Sequence, residues 1–286
     1  MKKKTIAIMY DFDGTLSPKN MQEYSLFPSI RKTPKEFWAE TKEFANKNKM
    51  DEISAYLYKC IEIANQSDVR TCEKDFSSMG SAITFFPGVE TWFDRINDLS
   101  KNLGLHTMHF VISSGIGELI DGCKIASKLD GIFACRFIYD KFGRPIWPAG
   151  LVNYTTKTQF LFRINKGIFK VGQDEEVNKY VPEEVRPVPW DRMIYIGDGL
   201  TDVPCMKLVR DKGGLSLAVY NKSKKNSKKL AQQLFDENRC SGFFPADYSN
   251  NSLLSNCVEN YLRLLASKID FETSLNANHP SSRSTK

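Results

Sequence analysis

Residues 10–17 read YDFDGTLS and come directly after the apolar run of residues 6–9. Asp11 and Asp13 lie two residues apart where a buried strand is predicted to end, and a glycine and a threonine follow them. In a parallel open sheet, ligands bind outside the carboxyl ends of the strands, near the point where the strand order reverses. The position of these acids therefore predicts that they face a binding crevice.

Two further apolar runs end in polar residues in the same way. Residues 108–112 run into SSG, which begins at Ser113, and residues 193–196 run into GDGLTD, which contains Asp198 and Asp202. Because parallel strands end at a common edge of the sheet, we expect these side chains to meet those of the first strand.

Three carboxylates at one sheet edge, those of Asp11, Asp13 and Asp198, would repel one another strongly without a counter-ion. A hard divalent cation is the natural remedy, and Mg²⁺ binds through a few carboxylates while keeping waters and a substrate phosphate. A hydroxyl from Thr15 or Ser113, a lysine and backbone N–H groups would then suit the oxygens of a phosphoryl group. The pattern therefore predicts Mg²⁺ as cofactor.

The distribution of apolar residues predicts an α/β fold. Short apolar runs without strict alternation are typical of strands buried on both faces, and they cover residues 6–10, 108–112, 132–139, 193–196 and 215–220. Helical periods lie between them, the clearest over residues 89–103. Strands that alternate with helices predict a Rossmann-like, doubly wound parallel sheet.

One segment, residues 18–85, has helical signals and no convincing central strand. Thr33 followed by Pro34 is typical of an N-cap and first helical position. Such a segment is too long for a loop, so we expect an all-helical domain inserted in a core of residues 1–17 and 86–270.

Three aromatic residues of the first insert helix, Phe37, Trp38 and Phe44, are interpreted as the apolar core of the insert, with a substrate pocket as the alternative. At the other end of the chain, residues 271–286 are predicted to be a disordered tail.

Composition excludes several classes of protein. The 286 residues are 41% hydrophobic and 26% charged, as in ordinary globular proteins, and no apolar run approaches the roughly 18 residues of a membrane span. The seven cysteines are odd in number and form no C-x-x-C pair, which favours a reducing cytoplasm. The net charge is +6, but the lysine-rich run of residues 222–229 has no interleaved aromatic residues for base stacking, so a nucleic-acid partner is not predicted. No pattern indicates an oligomeric state.

The motifs resemble those of the haloacid dehalogenase (HAD)-like hydrolase superfamily, over about residues 5–220. DFDGT, which begins at Asp11, resembles the first motif of that superfamily. The resemblance implies that Asp11 is a nucleophile, and that Asp13 is a general acid and base whose backbone carbonyl binds the metal. VISSG resembles the second motif and implies that Ser113 binds the substrate phosphate.

The third and fourth motifs follow in order. The third is a lysine near a helix start, for which we choose Lys157 in YTTKTQFLFRINKG because adjacent threonines can cap a helix there. Lys166 in the same predicted helix is the alternative. GDGLTD resembles the fourth motif, which implies that Asp198 binds the metal and that Asp202 supports it.

The resemblance implies a Mg²⁺-dependent phosphomonoester hydrolase that acts on a small phosphorylated metabolite through an aspartyl-phosphate intermediate. The helical insert resembles the cap of phosphoserine phosphatases, but those enzymes carry a glutamate where this chain has Asn20, with Glu23 as a nearby substitute. Two alternatives remain. One is a phosphomutase of the same superfamily, and the other is a non-catalytic binding or regulatory protein on this fold.

Overall fold

A computed structural model of the protein describes residues 4–66 and 72–276. Seven strands form one sheet, namely β1 (Thr5–Tyr10), β2 (His106–Ile116), β3 (Gly131–Tyr139), β4 (Pro145–Gly150), β5 (Met193–Gly197), β6 (Leu215–Tyr220) and β7 (Gly242–Pro245). Their order in the sheet is β4-β3-β2-β1-β5-β6-β7. All neighbours are parallel except β3 and β4, which are antiparallel. The predicted doubly wound α/β fold is confirmed.

Strand β1 is the centre of the sheet, and every one of its residues is buried. Its last residue, Tyr10, pairs with Val111 of β2 on one side and with Ile196 of β5 on the other. The chain builds the sheet outward from β1 to β4 and then returns to the other side of β1 with β5, so the strand order reverses there. Asp11, the next residue, therefore lies at the position where open α/β sheets bind ligands.

Eleven α-helices lie within the described ranges 4–66 and 72–276. They are α1 (Leu26–Ser29), α2 (Pro34–Asn48), α3 (Glu52–Gln66), α4 (Glu73–Gly80), α5 (Val89–Asn102), α6 (Gly117–Asp121), α7 (Lys157–Lys166), α8 (Asp174–Asn178), α9 (Val203–Asp211), α10 (Ser227–Asp236) and α11 (Leu253–Asn276). Helix α5 packs against β2 and α11, and α7 packs against β2 and α9. Trp92 and Phe93 of α5 are buried in the main hydrophobic core.

The segment between β1 and α5 contains α1 to α4 and no strand among its described residues. Helix α2 begins as its sequence predicts: the Thr33 hydroxyl accepts from the Glu36 amide, the Glu36 carboxylate accepts from the Thr33 amide, and Pro34 follows the cap. This insert packs on the core through α4 against α6 and through α3 against β4. It therefore covers one end of the sheet.

The sequence prediction missed both outer strands. Strand β4 contains two prolines, which are depleted in strands, and β7 has only four residues, so neither gives a clear strand signal. Proline is tolerated on edge strands, where an N–H group needs no partner in the sheet, and both strands lie at edges.

The predicted disordered tail is wrong for residues 271–276, which continue helix α11. The helix is held by buried Leu262, Leu265 and Ile269, which share one face. Residues 277–286 lie outside the described residues. Among the described residues, no helix is both long and apolar enough for a membrane span. All seven cysteines are free thiols.

Candidate active site

A buried lysine joins two of the predicted acids. The Lys157 Nζ atom lies 2.6 Å from Asp11 Oδ1 and 2.7 Å from Asp202 Oδ1. Lys157 and Asp202 are 0% exposed, and Asp11 is nearly so. The alternative lysine, Lys166, instead donates to the backbone carbonyls of Val177 and Lys179. The structure therefore brings Lys157, and not Lys166, to the first motif.

The start of helix α7 positions Lys157, and it differs in detail from the prediction. Thr156 occupies the N-cap position, but its side chain makes no capping hydrogen bond to the helix. Instead, the Asn153 amide donates to Thr156 Oγ1 (2.7 Å), and the Thr156 amide donates to Asn153 Oδ1 (3.2 Å). This reciprocal pair fixes the loop before the helix, and the sequence analysis did not single out Asn153.

The Asp202 carboxylate has four donors. Its Oδ1 accepts from Lys157 Nζ and from the Tyr195 hydroxyl (2.8 Å), and its Oδ2 accepts from the amides of Asp198 and Gly199 at 3.2 and 3.3 Å. A carboxylate has about four lone-pair sites, so these four donors occupy all of its hydrogen-bond acceptor sites. Asp202 therefore orients Lys157 and the loop that carries Asp198.

The acids could hold a divalent cation. Asp11, Asp198 and Asp202 each offer one carboxylate oxygen, and these oxygens lie within 4.8 Å of one another. Because the Asp202 oxygens are already hydrogen-bonded, Asp11 and Asp198 are the better metal ligands. Hard oxygen donors of this kind fit Mg²⁺.

Gly14 allows the first and fourth motifs to approach. Its φ of +84° lies in the left-handed region, and a Cβ atom there would lie 2.1 Å from Asp198 Oδ2. An L side chain at this position would therefore be strained and would also displace the Asp198 carboxylate.

Asp13 is held by the insert. Its Oδ1 accepts from the amide of Met21 at 2.9 Å. Burial, followed by the charge of Asp11, raises the pKa of Asp13 well above its ordinary range. A carboxyl group with a raised pKa can carry a proton near neutrality, as a general acid must.

Burial also dominates the pKa values of the other charged groups. Burial and the charge of Asp202, partly offset by Lys157, raise the pKa of Asp11 to about 6. Burial and the charge of Asp11 raise the pKa of Asp198 well above its ordinary range. For Lys157, burial alone would lower the pKa, but Asp11 and Asp202 outweigh it and raise the pKa. The lysine is therefore a permanent cation within an acidic cluster.

The two predicted phosphate-binding hydroxyls have different surroundings. Ser113 lines the same cavity as Asp11, and its Oγ accepts from the Gly115 amide at 3.0 Å. Thr15 is fully buried and does not line that cavity, and its Oγ1 has no hydrogen-bond partner among the described residues. The structure therefore brings the Ser113 hydroxyl to the cavity but not the Thr15 hydroxyl.

The cavity has a volume of about 280 Å³. Six of its lining residues were assigned no role by the sequence analysis: Gln22, Ile53, Tyr56, Ser114, Gly115 and Thr201. Trp38 was interpreted as core of the insert, and it does pack against Phe27 and Phe37, but it also reaches the cavity.

The residue that departs from the phosphoserine phosphatase pattern, Asn20, lines the cavity as well. Its side-chain amide donates to Glu23 Oε1 at 2.9 Å. Glu23 itself is not a lining residue, so its carboxylate does not replace the missing glutamate in this geometry.

Comparison with solved structures defines the class of fold. A phosphoserine phosphatase structure with a phospho-aspartyl intermediate analogue superposes with a TM-score of 0.52 at 19% identity, covering 90% of this chain and 99% of that chain. A probable phosphoserine phosphatase from Vibrio cholerae superposes with a TM-score of 0.56 at 14% identity, covering 93% and 67%. The chain therefore shares the fold of these phosphatase structures, as the motifs predicted.

No protein-family model matches the chain. An uncharacterized protein of Borreliella burgdorferi is 30% identical over 284 residues, which cover 90% of this chain and 96% of that protein. The chain belongs to the same family as that protein.

Proposed function

We propose that the protein is a Mg²⁺-dependent phosphomonoester hydrolase that forms an aspartyl-phosphate on Asp11. The observation that carries this proposal is the buried Lys157 amine between Asp11 and Asp202, beside Asp198 and open to one cavity. A binding protein has no need of a repulsive acid cluster with a buried cation. A nucleophilic carboxylate needs such a cation to approach an anionic phosphate.

In this mechanism, the Asp11 carboxylate attacks phosphorus and the leaving oxygen departs, which divides one difficult displacement into two easier ones. Lys157 offsets the charge of Asp11 and the phosphate, and the Ser113 hydroxyl binds a phosphate oxygen. Bound Mg²⁺, held by Asp11, Asp198 and the Asp13 backbone carbonyl, would supply charge neutralisation and hold the phosphate in line.

Asp13 acts as the general acid and then as the general base. Its raised pKa keeps a proton available for the leaving oxygen. Once ionised, it takes a proton from the water that hydrolyses the aspartyl-phosphate. The hydrogen bond from the Met21 amide holds its carboxyl group in place, so this step depends on the position of the insert.

We assign residues 18–85 as a cap and residues 1–17 and 86–270 as the catalytic core. The Tyr56 hydroxyl of the insert donates to the Ser114 carbonyl of the core at 2.8 Å, which supports a closed arrangement. Closure over a cavity of about 280 Å³ favours a small phosphorylated metabolite over a macromolecule. The free thiols favour a cytoplasmic location.

The experiment is to measure phosphate release from a panel of phosphorylated metabolites with Mg²⁺ and with a chelator. Asp11→Asn keeps the size of the side chain and removes the nucleophile, so we expect it to be inactive. Asp98→Asn, an exposed aspartate of α5, is the matched control and should retain full activity. Metal-independent release, or equal activity of Asp11→Asn, would contradict the proposal. Phosphorus NMR that shows an isomer in place of free phosphate would favour the mutase.

A further inference from the structure

The cavity has a charged side and an uncharged side. Its only charged lining residues, among those described, are the four of the catalytic group: Asp11, Asp13, Lys157 and Asp198. The side that would face the leaving group is neutral, and it consists of Asn20, Gln22, Trp38, Ile53, Tyr56 and Ser114. Five of these residues come from the insert, and Ser114 lies on β2.

The neutral side has unused hydrogen-bonding capacity. Gln22 Oε1, Trp38 Nε1 and Ser114 Oγ are buried and have no hydrogen-bond partner among the described residues. A buried polar group without a partner costs about 1–3 kcal/mol. The residues that carry these three groups line the cavity, so a ligand with polar groups of its own would satisfy them once these side chains turn towards it.

A second anionic group on the ligand would have no cation to meet. Lys157 is already bound to Asp11 and Asp202, and no other lysine or arginine in the described part of the chain lines the cavity. A carboxylate would instead meet the acids of the catalytic group. The neutral side also carries no carboxylate among its described residues, so a cationic group of the ligand would find no ion-pair partner there.

We infer, on the basis of the proposed hydrolase function, that the substrate is a phosphate ester of an uncharged, hydroxylated alcohol and not of an amino or carboxylic acid. Trp38 Nε1 donates to a hydroxyl oxygen of this alcohol, and Gln22 Oε1 accepts from a hydroxyl group. Ile53 and Tyr56 contact its carbon skeleton. A cavity of about 280 Å³ matches an ester of the size of a sugar phosphate.

The test compares kcat/KM for esters that differ in the charge of the leaving group. The uncharged esters are glycerol phosphate and glucose 6-phosphate, the carboxylate esters are phosphoserine and phosphoglycolate, and phosphoethanolamine is the cationic ester. 4-Nitrophenyl phosphate serves as a general probe of phosphatase activity. We expect at least one uncharged ester to exceed every charged one by about tenfold or more, as for a site whose buried polar groups must be paired.

A preference for phosphoserine, phosphoglycolate or phosphoethanolamine, with the probe hydrolysed, would overturn this inference and leave the proposed function intact. Hydrolysis of neither the probe nor any ester would overturn both. The two failures are therefore distinguishable.

Two variants test the residues. Trp38→Phe keeps an aromatic ring and removes the N–H donor, so it should lower kcat/KM for the preferred uncharged ester about tenfold more than for the probe. Trp147→Phe, at a tryptophan that is 67% exposed on β4, is the matched control and should leave this ratio unchanged. Asn20→Glu should raise the relative kcat/KM for phosphoethanolamine, because it places a carboxylate on the neutral side of the cavity. Unchanged ratios in both cavity variants would overturn the assignment.

Discussion

Replacing Lys157 by methionine keeps most of the side-chain volume and removes the cation from the centre of the site. Its amine lies 2.6 Å from Asp11 and 2.7 Å from Asp202, and all three groups are buried. At an effective dielectric constant of about 20, each attraction is on the order of 6 kcal/mol, opposed by the cost of burying the charges. Removing one partner of a buried ion pair leaves the other uncompensated, which costs about 3–5 kcal/mol.

We therefore expect Lys157→Met to lower the free energy of unfolding by about 3–5 kcal/mol near neutral pH. Without the lysine, the folded-state pKa of Asp11 rises further above that of an unfolded aspartate. Such a group takes up a proton in the folded state as the pH falls, so the deficit relative to the wild-type protein should shrink between about pH 7 and pH 4.

Urea unfolding in the presence of a chelator, at several pH values, measures this deficit. Lys166→Met, on the same helix, is the matched control because its amine donates to two backbone carbonyls and to no carboxylate. Its deficit should be roughly 0.5–1.5 kcal/mol for each hydrogen bond and should not change with pH. A Lys157→Met deficit below about 1 kcal/mol, or one that is constant with pH, would refute the reasoning.

Three further predictions concern the site, the core and the insert. Gly14→Ala should weaken Mg²⁺ binding about tenfold or more, because its Cβ atom would displace Asp198. Calorimetry measures this affinity, and an unchanged value would show that the close approach of Gly14 to Asp198 is not required. Burial lowers the pKa of His109 to about 3, so protonation of the unfolded chain should cost stability as the pH falls below about 6.5, by about 1.4 kcal/mol per unit. His109→Gln should lose this component in acid unfolding curves, and curves parallel to those of the wild-type protein would contradict the assignment. Thr33→Ala should cost about 1 kcal/mol in urea unfolding by removing the cap of α2, and no loss would show that the cap contributes nothing to global stability.

The hydrogen bonds around His109 suit its neutral form. Trp92 Nε1 donates to the Tyr10 hydroxyl at 2.8 Å, and the Tyr10 hydroxyl can in turn donate to His109 Nδ1 at 3.0 Å. This leaves the proton on Nε2, which donates to Asn97 Oδ1 at 3.1 Å. The neutral ring satisfies every partner, whereas a second proton on Nδ1 would face the Tyr10 hydroxyl proton.

Local patterns were sufficient to predict the strands that position the site. Each of the five predicted apolar runs became a strand, because residues buried on both faces must be apolar along the whole strand. The strand ends also predicted that Asp11 and Asp198 come together, and the resemblance to the HAD-like motifs added Lys157 to them. Strands β4 and β7 were missed because β4 contains two prolines and β7 has only four residues, features that only an edge strand tolerates.

The wall that faces the leaving group could not be predicted from local patterns. Trp38 and Tyr56 lie on two helices of the insert, and an apolar core and a substrate pocket favour the same residue types there. The packing of the insert onto the core, to which the hydrogen bond from Tyr56 to the Ser114 carbonyl contributes, brings these side chains to the cavity that Asp11 lines. That arrangement depends on contacts between residues far apart in the chain.

The most direct test of the proposed chemistry is to trap the phosphoryl group on Asp11. In Asp13→Asn the general base is absent, so a substrate whose leaving group needs no protonation, such as 4-nitrophenyl phosphate, should form the aspartyl-phosphate without hydrolysing it quickly. Mass spectrometry after an acid quench should find one phosphoryl group on the peptide that contains Asp11, and none when Asp11→Asn is added. Phosphate release by the wild-type protein without any phosphoryl group on Asp11 in the trapped variant would contradict the mechanism.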